Sequence, residues 1–413
     1  FESMLRKIRI AAAAFFFVLT TLLFLDFTGT LHAWFGWMAK IQFLPALLAL
    51  NVGVVAFLVI LTLLFGRVYC SVICPLGVMQ DIVSWASGKR RKHRNRFAYS
   101  PALTWLRRGM LVVFVAAMLA GVGSLLAPYS AYGRIASNLL APVYAWGNNL
   151  LAYIAGRMDS YAFYSVDVWM KSLSTLLVAV VTFAVLFVLA WRSGRTYCNT
   201  ICPVGTVLGF LARYSLFKPR FDTSKCNGCK LCARNCKASC IDPAAHKIDY
   251  SRCVACMDCL ENCRQGAITY TLRRRNPDPA PAPQRPAADA AKTPSDASRR
   301  RFLGLAGIVA YSALRAQEKK VDGGLAVIVD KKIPNRATPV VPPGAQSLRH
   351  FNAHCTGCQL CVSVCPNQVL RPSGKLMTLM QPEMSFERGY CRPECTKCAE
   401  VCPTGAILDF SSR

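Results

Sequence analysis

Four apolar runs dominate the first half of the chain. Ile8–Leu25, Phe43–Phe65, Met110–Ala127 and Leu173–Trp191 are almost free of charge, and each approaches the ~20 residues that a helix needs to cross hydrocarbon. The pattern predicts four membrane spans. Polar positions gather between them. Arg6, Lys7 and Arg9 attend the start of the first run, Asp26 closes it, and Trp34 and Trp37 follow as interfacial aromatics. Lys89, Arg90, Arg91, Lys92, Arg94 and Arg96 come after the second run, and Arg107 and Arg108 come just before the third. That bias puts the N-terminus and this connection in the cytoplasm, and the fourth run then ends there too. The segment Pro128–Ser172 is external. Within it, Ile135–Ile154 carries Leu139, Leu140, Val143, Tyr144, Trp146, Leu150 and Leu151. An amphipathic interfacial helix and a quinone pocket are both open readings of it.

After residue 215 the pattern changes to short polar segments with Cys at fixed intervals. Cys226, Cys229, Cys232 and Cys236 form C-x2-C-x2-C-x3-C, and Cys253, Cys256, Cys259 and Cys263 repeat it. This is the spacing of a bacterial ferredoxin with two [4Fe–4S] clusters, in which the fourth Cys of each motif ligates the other cluster. One cluster is therefore assigned to Cys226, Cys229, Cys232 and Cys263, and a second to Cys253, Cys256, Cys259 and Cys236. C-x2-C pairs also bind zinc, but a regular triplet plus one favours iron–sulfur. The same theme returns at Cys355, Cys358, Cys361 and Cys365, and at Cys391, Cys395, Cys398 and Cys402, where a C-x3-C opens the motif. Crossed ligation gives Cys355, Cys358, Cys361 and Cys402 for a third cluster, and Cys391, Cys395, Cys398 and Cys365 for a fourth. Ala337–Phe351, before them, reads as an extended arm.

Between the two ferredoxins, 276–297 is a Pro/Ala-rich linker. Ser298, Arg299, Arg300, Arg301, Phe302 and Leu303 then lead into the short apolar run Leu303–Leu314. That is a twin-arginine export pattern, with no small-residue cleavage site following it cleanly. We expect 298–316 to be retained as a fifth, signal-anchor segment, and 317–413 to lie outside the cytoplasm. Twin-arginine export carries folded cargo, which suits a domain loaded with clusters.

Composition sharpens the reading. The 413 residues are 54% hydrophobic yet carry a formal charge of +28. These values conflict for a soluble protein and agree for a membrane protein with basic cytoplasmic loops. The charge adjoins the apolar runs, so no nucleic-acid partner is expected. Of 21 cysteines, all but Cys240 fall in regular motifs, which a secreted disulfide framework does not produce. With only five His and no nucleophile–His–Asp arrangement in view, the chain shows no catalytic site of its own.

Four cysteines sit at the span ends. Tyr69-Cys70-Ser71-Val72-Ile73-Cys74-Pro75-Leu76-Gly77 closes the second span, and Tyr197-Cys198-Asn199-Thr200-Ile201-Cys202-Pro203-Val204-Gly205 closes the fourth. Arg67 and Arg195 stand upstream. This is an internal repeat. Cysteines at i and i+4 share a helix face, and two such faces present Cys70, Cys74, Cys198 and Cys202 at the cytoplasmic membrane edge. A further metal or iron–sulfur centre, a thiol redox pair and a structural role all remain open there.

Spans ending twice in C-x3-C-P, followed by a double-cluster ferredoxin, make residues 1–270 similar to the NapH/NosR/MauN membrane polyferredoxins. From Arg299 onward the chain resembles the exported ferredoxin NapG. The NosR flavin domain has no counterpart here, and Lys237 replaces the common Pro after Cys236. The resemblance implies electron transfer between a quinol or cytoplasmic donor and an extracytoplasmic redox partner. A maturation factor for a metalloenzyme and a redox sensor are the rival classes.

The expected architecture is an α-helical membrane domain (1–215) with two small α+β ferredoxins, 216–275 inside and 317–413 outside a bacterial inner membrane. One tunnelling step across ~30 Å of hydrocarbon is long. With the C-x3-C-P thiols at the inner edge, a quinone, or a flavin, haem or molybdenum partner subunit, is expected to supply an intermediate centre in a respiratory complex.

Overall fold

Helix α1, Glu2–Leu25, carries the first apolar run without interruption in the computed structural model. The structure describes residues 2–26, 29–89, 97–120, 126–159, 163–166, 168, 173–272, 338–387 and 389–408. The expected linker, the twin-arginine segment, its apolar run Leu303–Leu314 and the charges from Arg90 to Arg96 lie outside them. Phe1–Arg275 and Arg336–Arg413 form one unit.

Two short helices, α2 (Thr30–Phe35) and α3 (Trp37–Lys40), follow α1 and leave Trp34 and Trp37 exposed. The second apolar run is not one helix. It divides into α4 (Phe43–Leu48) and α5 (Val52–Phe65), because Leu50 takes a φ of 51°. The Asn51 side chain then caps α5, accepting from the Val54 N–H at 3.3 Å. Gly66, at φ 76°, ends α5. Two helices come next, α6 (Val68–Val72) and α7 (Pro75–Gly88).

The third run lies in α8 (Thr104–Leu119), and 121–125 fall outside the described residues. The segment expected to lie at an interface has two characters. Every residue of α9 (Pro128–Ile135) is buried, and a π-helical turn, Ala136–Leu140, joins it to α10 (Ala141–Arg157), which buries none. The fourth run is α11 (Leu173–Ser193), followed by α12 (Thr196–Thr200) and α13 (Pro203–Ala212). Of the four expected long spans, α1 from Met4 and α11 are long and apolar enough to cross a membrane as single helices. Phe57, Val112, Val143, Trp146, Leu177 and Val185 are exposed around the bundle, an apolar surface that suits contact with lipid.

The first ferredoxin pairs β1 (Phe217–Phe221) antiparallel with β4 (Ile268–Leu272), in the register Phe217 to Leu272 and Phe221 to Ile268. Between them come α14 (Leu231–Arg234), the ladder β2 (Ile241–Asp242) with β3 (Lys247–Ile248), and α15 (Asp258–Asn262). The C-terminal ferredoxin contains α16 (Leu348–His354), α17 (Leu360–Ser363), the pair β5 (Leu370–Pro372) with β6 (Pro382–Met384), and α18 (Lys397–Glu400).

The two ferredoxins sit at opposite ends of α1. Arg6 donates to Asp258 at 2.9 Å and pairs with Glu261 at 2.5 Å, both on α15. At the other end α1 packs against α17. Gly133 of α9 lies there between the Phe24 ring and the Cys358 carbonyl; a Cβ on it would come within 2.8 Å of the one and 2.5 Å of the other. Asn138 adds a hydrogen bond to the Gln359 side chain at 2.9 Å. A single buried core runs from Val254 and Cys256 through Cys70, Cys74, Cys198 and Cys202 to Cys358, Cys361 and Cys398.

Candidate metal centres

Three cavities gather the ferredoxin cysteines. Cys226, Cys229, Cys232 and Cys263 line one of about 310 Å³. Cys253, Cys256, Cys259 and Cys236 line a second, and Cys391, Cys395, Cys398 and Cys365 a third. Cys355, Cys358, Cys361 and Cys402 lie within electrostatic reach of one another. In each group three thiols come from one motif and the last from its partner.

The loops explain how short motifs bring three thiols together. In each C-x2-C-x2-C motif, the residues on either side of the middle Cys have positive φ: Gly228 and Lys230, Ala255 and Met257, Gly357 and Gln359. Such turns aim successive backbone N–H groups into one concavity, which suits an anionic centre. No residue from 392 to 397 has a positive φ, so the C-x3-C motif presents its thiols on a different loop. The Ala267 N–H points at the Cys263 sulfur, 3.2 Å away. Burial pushes the Cys358 thiol up to about 11 and the Cys398 thiol up to about 12. These thiols stay protonated at neutral pH until a bound cationic centre draws off the proton. The Tyr129 hydroxyl, buried and within reach of Cys358 and Cys402, has no hydrogen-bond partner among the described residues. Loops, thiols and donors all fit sulfur-ligated clusters. Cys240 lines the second cavity, its sulfur 3.5 Å from that of Cys236.

The C-x3-C-P segments form one buried site. Cys70, Cys74, Cys198 and Cys202 are 4–5% exposed. The expectation that each pair shares one helix face does not hold. Cys70 lies in α6 and Cys198 in α12, whereas Cys74 and Cys202 are extended residues that cap α7 and α13. Pro75 and Pro203 cause this, because a residue before proline avoids helical backbone. The two halves match closely: the Tyr69 carbonyl accepts from Ile73 and Cys74, and the Tyr197 carbonyl accepts from Ile201 and Cys202, all at 3.0 Å.

The arginines cross over. Arg67 donates to the Cys198 carbonyl at 3.1 Å, and Arg195 donates to the Cys70 carbonyl at 2.6 Å. Donors also point at sulfur: Arg67 toward Cys70 at 3.7 Å, Gln80 toward Cys198 at 3.4 Å, and the Gly205 N–H toward Cys202 at 3.3 Å. Among the described residues no His, Cys, Asp and Glu group closes on a single metal ion. That holds for the ferredoxin groups and for this site alike.

The C-x3-C-P site was expected from sequence at the cytoplasmic membrane edge; in the structure it packs against the first ferredoxin. It lies between the ferredoxins. On one side, Asn199 donates to the Ala238 carbonyl at 3.2 Å, and Arg67 and Arg107 both donate to the Ser251 carbonyl at 3.3 Å. Ala238 and Ser251 are each two residues from a cysteine of the second cavity, Cys236 and Cys253. On the other side, buried Arg134 of α9 is within electrostatic reach of both Tyr197 and Cys358.

Lys237, the departure from Cys-Pro, ties the first ferredoxin to the bundle. It pairs with Asp258 at 2.9 Å and Asp81 at 3.7 Å, and its carbonyl accepts from the Arg195 N–H at 2.9 Å. Asp81 also receives Arg195 and Arg9, at 2.7 and 3.3 Å. Burial opposes ionisation of Asp258, yet Lys237 and then Arg6 outweigh it and hold the carboxyl below its usual range. Sequence reasoning named the cysteines and missed Gln80, Asp81, Asn199 and Arg134. Charged residues within apolar segments, Asp81 and Arg134 above all, were the available signal.

Comparison with known proteins agrees with this chemistry. The chain matches a 4Fe-4S binding domain over residues 47–93 and 175–224, and a 4Fe-4S dicluster domain over residues 354–406. It is an iron–sulfur protein similar to NapH and MauN. To the ferredoxin-type protein NapH of Escherichia coli it is 29% identical over 195 residues, 47% of this chain and 55% of NapH. To the methylamine utilization ferredoxin-type protein MauN of Paracoccus denitrificans it is 28% identical over 172 residues, 41% of this chain and 48% of MauN. An uncharacterized protein of Methanocaldococcus jannaschii is 24% identical over 219 residues, 53% of this chain and 70% of that protein. The chain thus spans about half the length of NapH and MauN. No solved structure matches it.

Proposed function

We propose that this chain is a membrane-bound iron–sulfur subunit that carries electrons between a quinol or cytoplasmic donor and an extracytoplasmic redox partner. Four [4Fe–4S] clusters, held by the crossed sets Cys226/229/232/263, Cys253/256/259/236, Cys355/358/361/402 and Cys391/395/398/365, supply one-electron transfer. The chain's own residues hold the thiols, bury them to different degrees and direct N–H groups at sulfur, the means by which a protein sets cluster potential.

The observation that carries the reading is the placement of the ferredoxins at the two ends of α1. The helix between Arg6 and Phe24 is about 27 Å long at 1.5 Å per residue, close to the ~30 Å of bilayer hydrocarbon. The basic start of α1 supports a cytoplasmic first ferredoxin. The C-terminal ferredoxin is then extracytoplasmic, and other subunits of a redox complex deliver or accept its electrons.

The test is topological. A reporter that is active only outside the cytoplasm, fused after Arg413, is expected to be active, and one fused after Leu272 is expected to be silent. Activity from both positions, or silence after Arg413, overturns the reading.

A further inference from the structure

We propose that Cys70, Cys74, Cys198 and Cys202 hold a fifth iron–sulfur cluster, and that it joins the two ferredoxins within this one chain. The proposal rests on the reading of the chain as an electron carrier and adds the centre that such a carrier lacked. The matched halves 47–93 and 175–224 contain two cysteines each, so neither half can ligate a cluster alone. The fold supplies the missing pair by bringing both C-x3-C-P segments together in one buried site.

Three observations favour a cluster over the other uses of four thiols. First, the thiols do not close on a single ion, a property they share with the four ferredoxin groups; a structural zinc site needs a tight tetrahedron. Second, each half aims N–H donors at sulfur, from Arg67 and Gln80 and from the Gly205 backbone. Such donors stabilise metal-bound thiolates, whereas a packed thiol or a disulfide has little need of them. Third, Arg67 and Arg195 are wholly buried beside the site. A cluster with four thiolates is anionic, and it accounts for positive charge that Asp81 alone does not balance.

Position decides the role. Arg67 touches the Cys70 sulfur and the Ser251 carbonyl, so one side chain spans this site and the loop entering the second cavity. On the other side Gly133 of α9 packs against the Cys358 carbonyl, and its neighbour Arg134 is buried within electrostatic reach of Tyr197 and Cys358. The centre divides the span between the ferredoxins into two shorter steps. In each step one cluster loses a single electron and its neighbour gains it, and no bond forms or breaks. No quinone, flavin or haem from a partner is needed between the two ferredoxins.

The test uses the full chain, purified anaerobically after growth on ⁵⁷Fe. Four clusters account for about sixteen irons per chain, and a fifth cubane raises this to about twenty. In Cys74→Ala with Cys202→Ala, iron and acid-labile sulfide are expected to fall together, with one Mössbauer component lost and the ferredoxin components kept. A sixteen-iron wild type that this variant leaves unchanged overturns the proposal. So does zinc without sulfide, or a disulfide, at these positions. If the double variant does not fold, Gln80→Ala is the second probe, and it should shift the reduction potential of one component alone; no shift in any component counts against the site. Reconstituted in vesicles, wild type should pass electrons from an impermeant reductant on the first-ferredoxin side to the C-terminal clusters. If the fifth component is present but those clusters stay oxidised, the carrier reading and the joining role both fail and only the cluster site stands.

Discussion

Arg195 reaches from one half of the internal repeat to the backbone carbonyl of Cys70 in the other, at 2.6 Å. Arg67 returns the contact to Cys198 at 3.1 Å. Two halves that lie well over a hundred residues apart thus lock each other's cysteine turns, and the lock is also where the first ferredoxin docks.

Replacing Arg195 by Ala takes from Asp81 the partner that donates to it at 2.9 and 2.7 Å and leaves only the longer contacts to Arg9 and Lys237. A buried carboxylate that loses its main partner costs roughly 3–5 kcal/mol. We expect a lower Tm in detergent and loss of the iron held at the C-x3-C-P site. Arg195→Ala combined with Asp81→Asn should recover little of the Tm, because Arg9 then loses Asp81, its ion-pair partner at 3.3 Å.

Two glycines are expected to tolerate no side chain. A Cβ on Gly77 would lie 2.3 Å from the Cys70 carbonyl, and one on Gly205 would lie 2.2 Å from the Cys198 carbonyl. Backbone cannot retreat from both. Gly77→Ala or Gly205→Ala should lower the yield of folded protein in detergent, measured by size-exclusion chromatography. Gly88→Ala meets nothing within 4 Å and should match wild type.

The Asp258 pair gives a pH dependence. Its carboxyl is held below the usual value of about 3.9 by Lys237 and Arg6 against the cost of burial. The stabilisation is therefore fully present above that usual value and is lost as pH falls through the lower, folded value. Asp258→Asn should loosen the docking of the first ferredoxin at pH 7, seen as faster proteolysis near residue 216. The difference from wild type should shrink as the pH is lowered below 4.

Tyr129 is expected to tune a potential. Its buried hydroxyl lies near Cys358 and Cys402. A donor there stabilises the more negative, reduced state, so Tyr129→Phe should lower the potential of that cluster. The scale is about 40 mV for each kcal/mol of hydrogen bond lost in a one-electron couple. Redox titration of the EPR signal measures it, and the clusters of the first ferredoxin should not move.

Sequence alone determined the parts whose causes are local. Ferredoxin loops follow from Cys spacing over eleven residues, and α1 and α11 follow from uninterrupted apolar runs. The repeat around Cys70 and Cys198 was legible as a repeat for the same reason. Local signals also misled: Leu50 broke the second apolar run, and Pro75 and Pro203 turned each Cys pair off a single helix face. Tertiary structure decided the rest. That Arg67 serves Cys198, that α9 is buried between Tyr197 and Cys358, and that Lys237 docks a ferredoxin are contacts between distant residues. No spacing encodes them, because they depend on how apolar faces bury one another and where buried charge finds a partner. The four cysteines were visible from the start; their place between the ferredoxins emerged only when the helices closed around them.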